Sequence, residues 1–179
     1  MPIDAESAFA KVVHHLEPVI AKEMDFSITA ALRSEDFETT DKISVATYIM
    51  QVGLTAVMKA NGAVPRACIG HSLGEIAASV SAGVLTSREG ALVCCIRARL
   101  YRRVAGDGAM ILISSSEAAE DIGPRADIHV AIHASPTSCV FSGIVNAVKE
   151  LSATLEAKGI EVRAFKSDVA FHTSLLMSW

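Results

Sequence analysis

The hydrophobic pattern changes period once, near Gly106. Before it, apolar residues return at three- and four-residue intervals, as on one face of a helix. After it they alternate, as on one face of a strand. The pattern predicts helices over Ala5–Ala21 and Ile43–Lys59, a short one from Glu75 to about Gly83, and one from Ser87 to about Ala105. Asn61-Gly62 and Gly106 supply stop signals, and Thr86-Ser87-Arg88-Glu89 is a capping box. Leu32–Asp41 reads as a polar connection, and Pro65 introduces a short strand that ends at Ile69.

Beyond Gly106, strands are expected at Ala109–Ser114, Ile128–Ala134, Cys139–Gly143 and Ile160–Phe165. Helices are expected at Glu117–Ile122 and Asn146–Lys158, and a turn at Pro136 joins the middle strands. The order β-α-β-β-α-β is that of a ferredoxin-like unit. The chain therefore reads as an α/β core over 1–106 and 167–179, with a small ferredoxin-like subdomain inserted over 107–166. It has neither repeats nor a low-complexity segment.

Composition narrows the class. The chain has 179 residues, 51% of them hydrophobic, and a formal charge of −4. That suffices for one domain with a sizeable core, and the mild acidity disfavours broad nucleic-acid binding. No apolar run approaches the length of a membrane span, and the N-terminus lacks a signal-peptide pattern. The four cysteines, Cys68, Cys94, Cys95 and Cys139, form no C-x-x-C pair. They read as reduced, cytoplasmic core residues rather than a zinc site.

The strongest chemical signal is Gly70-His71-Ser72-Leu73-Gly74, between the apolar run Ala67-Cys68-Ile69 and a small-residue helix. G-x-S-x-G between a strand and a helix is a nucleophile elbow. Its glycines let the chain bend, and the helix N-terminus points N–H groups and a positive dipole end at a developing oxyanion. The alternative is a serine that merely caps its own helix. A nucleophilic Ser72 needs a base, because a free hydroxyl attacks poorly at neutral pH. Of the six histidines, His14 and His15 lie on a polar helical face, and His129 and His133 fall in or beside a subdomain strand. His71 adjoins the serine on a tight turn, and His172 follows the apolar Val169-Ala170-Phe171. His172 is well placed as the base, although a core histidine would fit the same pattern. Arg97 shares a helix stripe with Val93, Cys94, Tyr101 and Val104. A guanidinium there needs a carboxylate from elsewhere in the chain or from a ligand, or it snorkels to water. Arg99, Arg102 and Arg103 cluster at the C-terminus of that helix, where positive charge is favoured.

The run Cys68–Ala78, with Gly70-His71-Ser72-Leu73-Gly74 at its centre, resembles the signature of acyltransferase domains of type I polyketide and fatty acid synthases, a family that includes malonyl-CoA:acyl carrier protein transacylases. Ala82–Thr86, Arg97-Ala98-Arg99, Gly108-Ala109-Met110, Ser135–Gly143 and Asp168–His172 keep the family order. The resemblance implies an α/β-hydrolase-like core with a parallel sheet. It implies Ser72 as nucleophile, His172 as base, Leu73 as a backbone oxyanion donor, and Arg97 as partner of a malonyl-type carboxylate. His71 and Phe171 would border the substrate. The family orients its histidine by backbone carbonyls, so Asp168 need not be a triad acid. A Phe171 beside the substrate α-carbon would crowd an α-methyl group, a discrimination of about 1–3 kcal/mol that favours malonyl. No permanent cofactor or metal is implied. The substrate would be a coenzyme A thioester, and the partners an acyl carrier protein with its phosphopantetheine arm and neighbouring synthase domains such as a ketosynthase. Neither nucleic acid nor membrane is implied, and the arginine cluster is one candidate docking surface for the carrier.

The chain departs from the family in lacking a Gly-Gln-Gly motif near Met1, in carrying Ala134 where an asparagine is usual, and in having one residue more than usual between His172 and Met177. It reads as an internal piece of such a domain, expected to expose apolar surface, to aggregate and to be weakly active alone. A serine hydrolase or thioesterase, or an inactive remnant that only packs against neighbours, would share the elbow.

Overall fold

The computed structural model describes residues 7–115, 122–123 and 125–178. The chain divides into two compact units, Met1–Arg102 and Arg103–Trp179.

The first unit is helical. α1 (Ala8–Met24) is capped by Ser7, whose hydroxyl accepts from the Ala10 N–H at 3.1 Å. It buries Phe9, Val13, Leu16, Ile20 and Met24, one apolar stripe. α2 (Ile28–Ser34) starts at the Ser27 cap, and only its last three residues overlap the expected connection Leu32–Asp41. α3 (Thr40–Ala60) buries Val45, Tyr48, Ile49 and Val52. By length and composition α3 could cross a membrane, yet these four side chains belong to a core cluster with α1 and α5. A Cβ at Gly53 would stand 2.5 Å from the Phe9 ring, so this glycine lets α1 and α3 approach. α4 (Gly74–Ser81) follows the elbow. α5 (Ser87–Tyr101) opens with the complete Thr86/Glu89 capping box and buries Cys94, Cys95 and Ala98. The Tyr48 hydroxyl, sunk in this core, donates to the Ser87 carbonyl at 2.7 Å.

The second unit holds a four-stranded sheet of β1 (Gly108–Ile113), β2 (Ile128–Ser135), β3 (Ser138–Ile144) and β4 (Val162–Ala164). Its order is β2-β3-β1-β4, with every neighbouring pair antiparallel. α6 (Val145–Ala157) lays Ala147, Val148, Leu151 and Leu155 in one cluster with Ile111, Ile113 and Phe141. The order and pairing are those of the ferredoxin-like unit. Residues 117–121 of the expected helix Glu117–Ile122 lie outside the described residues. The strap 167–178 belongs to this unit, and the Asp168 carbonyl accepts from the N–H groups of Gly106 (2.9 Å) and Gly108 (3.1 Å). A Cβ on Gly108 would lie 2.0 Å from the Ala170 nitrogen, so the strap seats directly on β1.

The parallel core sheet expected from the sequence is absent among the described residues, where the only sheet is antiparallel. Ala67–Ile69 is not a strand. A strand exists only as part of a ladder, and the described residues of the first unit supply no second strand.

Candidate functional site

Ser72 has φ +53, a left-handed conformation costly for a residue with a Cβ. Among the described residues only Asp25, Glu35 and His172 are other non-glycines with positive φ. Asp25 and Glu35 are helix C-caps, where this conformation is ordinary. The remaining two, Ser72 and His172, are the residues the sequence singles out as nucleophile and base.

The turn at Ser72 is tight. Gly74 donates to the His71 carbonyl (2.9 Å), Glu75 to Ser72 (3.0 Å) and Ile76 to Leu73 (3.2 Å). Gly70 makes this fold possible, since a Cβ there would lie 2.3 Å from the Gly74 carbonyl and 2.4 Å from the Glu75 nitrogen. Gly74 is under no such demand, its nearest neighbour to a built Cβ being Gln51 Nε2 at 3.6 Å. Leu73 stands at the N-cap of α4 with no side-chain cap. The Ser72 hydroxyl instead receives Arg97 Nη2 at 3.3 Å.

Arg97 reaches Ser72 from the middle of α5. Its Nε donates to the Tyr101 hydroxyl at 2.7 Å, and its Cζ lies 5.3 Å from the centre of the Tyr101 ring. Ser72, Arg97 and Tyr101 are all half-buried. Two neighbouring arginines, Arg99 of α5 and its C-cap Arg102, differ. Arg99 pairs with Glu23 at 2.9 Å, and Arg102 with Asp41 at 2.5 Å and with the Met24 carbonyl. The expected basic docking cluster is thus largely engaged in holding helices together. The thiol of Cys94 on the same helix is pushed up to about 12 by burial and by Cys95, with Arg97 opposing.

His71 is exposed and lines a cavity of about 820 Å³ bordered by Met58, Val64, Ile69 and Ala77. Ser72 and Arg97 are not among its walls.

In the second unit, Phe171 is half-buried and His172 exposed. The strap beneath them is firm, with Val169 fully buried, Phe171 N–H donating to the Val169 carbonyl (3.0 Å) and Thr173 Oγ1 to the Ala170 carbonyl (2.9 Å). After His172 comes a 3₁₀ turn (Ser174–Ser178), and Ser174 Oγ meets His129 Nε2 at 3.4 Å. Asp168 holds the strap through its backbone carbonyl. In the sequence pattern Tyr101 is only an apolar stripe position. The i,i+4 pairing of Arg97 and Tyr101 was the available signal.

The fold is of the mixed α/β class, with a positive-φ serine just before the first turn of α4 and a guanidinium on its oxygen. The particular family follows from comparison: a model described as the acyl transferase domain matches residues 3–178, and the chain belongs to that family. It is 48% identical over 177 residues to a 6-methylsalicylic acid synthase of Arthrobotrys oligospora, covering 96% of this chain and 10% of that protein. The chain therefore spans about a tenth of that curated relative's length. The acyltransferase domain of the polyketide synthase PpsC of Mycobacterium tuberculosis has a TM-score of 0.87 at 32% identity, over 96% of this chain and 53% of that one. A loading acyltransferase from the avermectin modular polyketide synthase has 0.89 at 28% identity, over 98% and 59%.

Proposed function

We propose that this chain carries the acyl-transfer chemistry of a polyketide synthase, moving a malonyl-type group from coenzyme A to the phosphopantetheine thiol of an acyl carrier protein. Ser72 Oγ attacks the thioester carbonyl while His172 takes its proton. The tetrahedral oxyanion is held by backbone N–H groups that include Leu73, at the positive end of α4. Collapse of the intermediate expels the coenzyme A sulfur, which leaves as the thiol with the proton from His172. In the second half, the carrier thiol gives its proton to His172 and attacks the acyl-serine, and Ser72 leaves reprotonated. Arg97 pairs with the free carboxylate of the acyl group, and Phe171 crowds an α-methyl substituent. His71 borders the substrate beside the elbow. The setting is cytoplasmic, beside carrier and ketosynthase domains.

One observation carries this reading: Arg97 Nη2 lies 3.3 Å from Ser72 Oγ. A half-buried cation beside the nucleophile lacks a charged partner when the acyl group is neutral and gains one when that group ends in a carboxylate. Incubating the full-length protein with malonyl-CoA and measuring intact mass should give a covalent adduct that Ser72→Ala abolishes. Arg97→Ala should lower malonyl loading by about 10²-fold while favouring acetyl-CoA, on the order of one lost charged pair. A thioesterase predicts instead that Arg97→Ala leaves malonyl turnover intact and that water is the acceptor.

A further inference from the structure

Arg97 has five N–H donors, and a carboxylate can dock on either of two edges: side-on across Nε and one Nη, or end-on across both Nη groups. The two dockings send the bound group in different directions. In this structure the choice is made within α5. The Tyr101 hydroxyl accepts the Nε–H at 2.7 Å and its ring lies beneath the guanidinium, 5.3 Å from Cζ. One helical turn separates the two residues, so the pairing is local and preformed. The Nε edge is taken, and Nη2 is the group that meets Ser72 Oγ.

We infer that Tyr101 is a specificity-determining positioning residue. By occupying Nε it commits Arg97 to end-on recognition, with Nη2 already at the Ser72 oxygen. The inference rests on the reading that Arg97 takes the substrate carboxylate. It adds that the aim of the guanidinium, as well as its charge, sets the preference for dicarboxylic thioesters. A long, flexible side chain held at a fixed angle by one strong acceptor and a ring surface loses less entropy when the ligand arrives.

The test is steady-state loading of the full-length protein with malonyl-CoA and acetyl-CoA for wild type, Tyr101→Phe, Arg97→Ala, Arg97→Lys and the double variant Arg97→Lys/Tyr101→Phe. Tyr101→Phe keeps the ring and removes the hydroxyl that accepts the Nε–H. The malonyl-over-acetyl ratio of kcat/KM should fall about five- to tenfold, chiefly through the KM for malonyl-CoA, as expected for one hydrogen bond to a charged group. Lysine has no Nε–H to fix, so Tyr101→Phe should change nothing further in the Arg97→Lys background. Three results would overturn the inference: an unchanged ratio in Tyr101→Phe while Arg97→Ala loses it; an equal fall in kcat for both substrates; or additive losses in the double variant. If Arg97→Ala itself leaves the ratio unchanged, the carboxylate reading fails and this inference with it.

Discussion

The elbow depends on one glycine more than the other. Both flank Ser72 in the sequence motif, and a pattern of letters treats them alike. Space separates them: a methyl at 70 runs into backbone, whereas a methyl at 74 meets only the end of Gln51. Backbone cannot swing aside as a side chain can, so Gly70→Ala should cost about 2–4 kcal/mol or distort the turn. Gly74→Ala should be neutral or add about 0.5 kcal/mol, since alanine outperforms glycine in a helix. Urea midpoints of the two variants check the ranking, and acylation of Ser72 should survive in Gly74→Ala but fail in Gly70→Ala. At this scale the sequence offers residue types without their aim: Ser72 is marked by the elbow motif and His172 by its place after an apolar run, and both have positive φ. Tyr101 was invisible as a partner because a tyrosine at i+4 also fits an apolar stripe, and only coordinates show which way Arg97 points.

Elements were legible in proportion to how locally they are determined. The capping box at Thr86 is written in adjacent residues, and it formed; the Ser7 cap of α1 is a feature that the expected helix Ala5–Ala21 did not include. The alternation after Gly106 predicted four strands that pair as expected, because each strand finds its neighbours within the same unit. Ala67–Ile69 looked like a strand by composition, but a ladder is a property of two segments. α2 went unread because seven residues give too short a period to count. The helices of the first unit are tied by charge in ways the pattern also hid. Asp41 at the start of α3 receives Arg102 at 2.5 Å, and Glu17 of α1 receives the Thr29 backbone and hydroxyl at 2.8 and 2.6 Å. Burial would raise both carboxyls, but hydrogen bonds outweigh it and hold them below their ordinary values of 3.8 and 4.5. A depressed folded pKa stabilises the fold above the unfolded pKa and is lost as pH falls through the folded one. Unfolding resistance should therefore decline below about pH 4.5. Asp41→Asn should cost roughly 1–2 kcal/mol at pH 7, discounted because Arg102 is half exposed, and its deficit should shrink as pH falls. Urea titrations of both proteins at pH 7 and pH 3.5 measure the difference.

At the scale of the whole molecule, each unit has its own apolar cluster, yet much apolar surface is left outside both. Ile69 is 97% exposed, Val64 85% and Met58 61%. All three border the 820 Å³ cavity that runs along Ala67–Ile69. Isolated exposed leucines or valines are common on soluble proteins, but a contiguous apolar surface around a cavity is not, because it gains about 25 cal/mol for each Å² that another surface covers. Unpaired backbone beside it adds donors and acceptors that a second chain can satisfy. The 179-residue chain alone should self-associate at micromolar concentration and bind a hydrophobic dye such as ANS. Ile69→Asp should lower both, since a carboxylate at a nearly fully exposed position costs the monomer little and opposes burial in an aggregate. Sedimentation velocity over a concentration series, with dye fluorescence in parallel, tests this. A dye-silent monomer across the series would mean that the apolar surface is covered in solution, and the exposed course of Ala67–Ile69 would have to be abandoned.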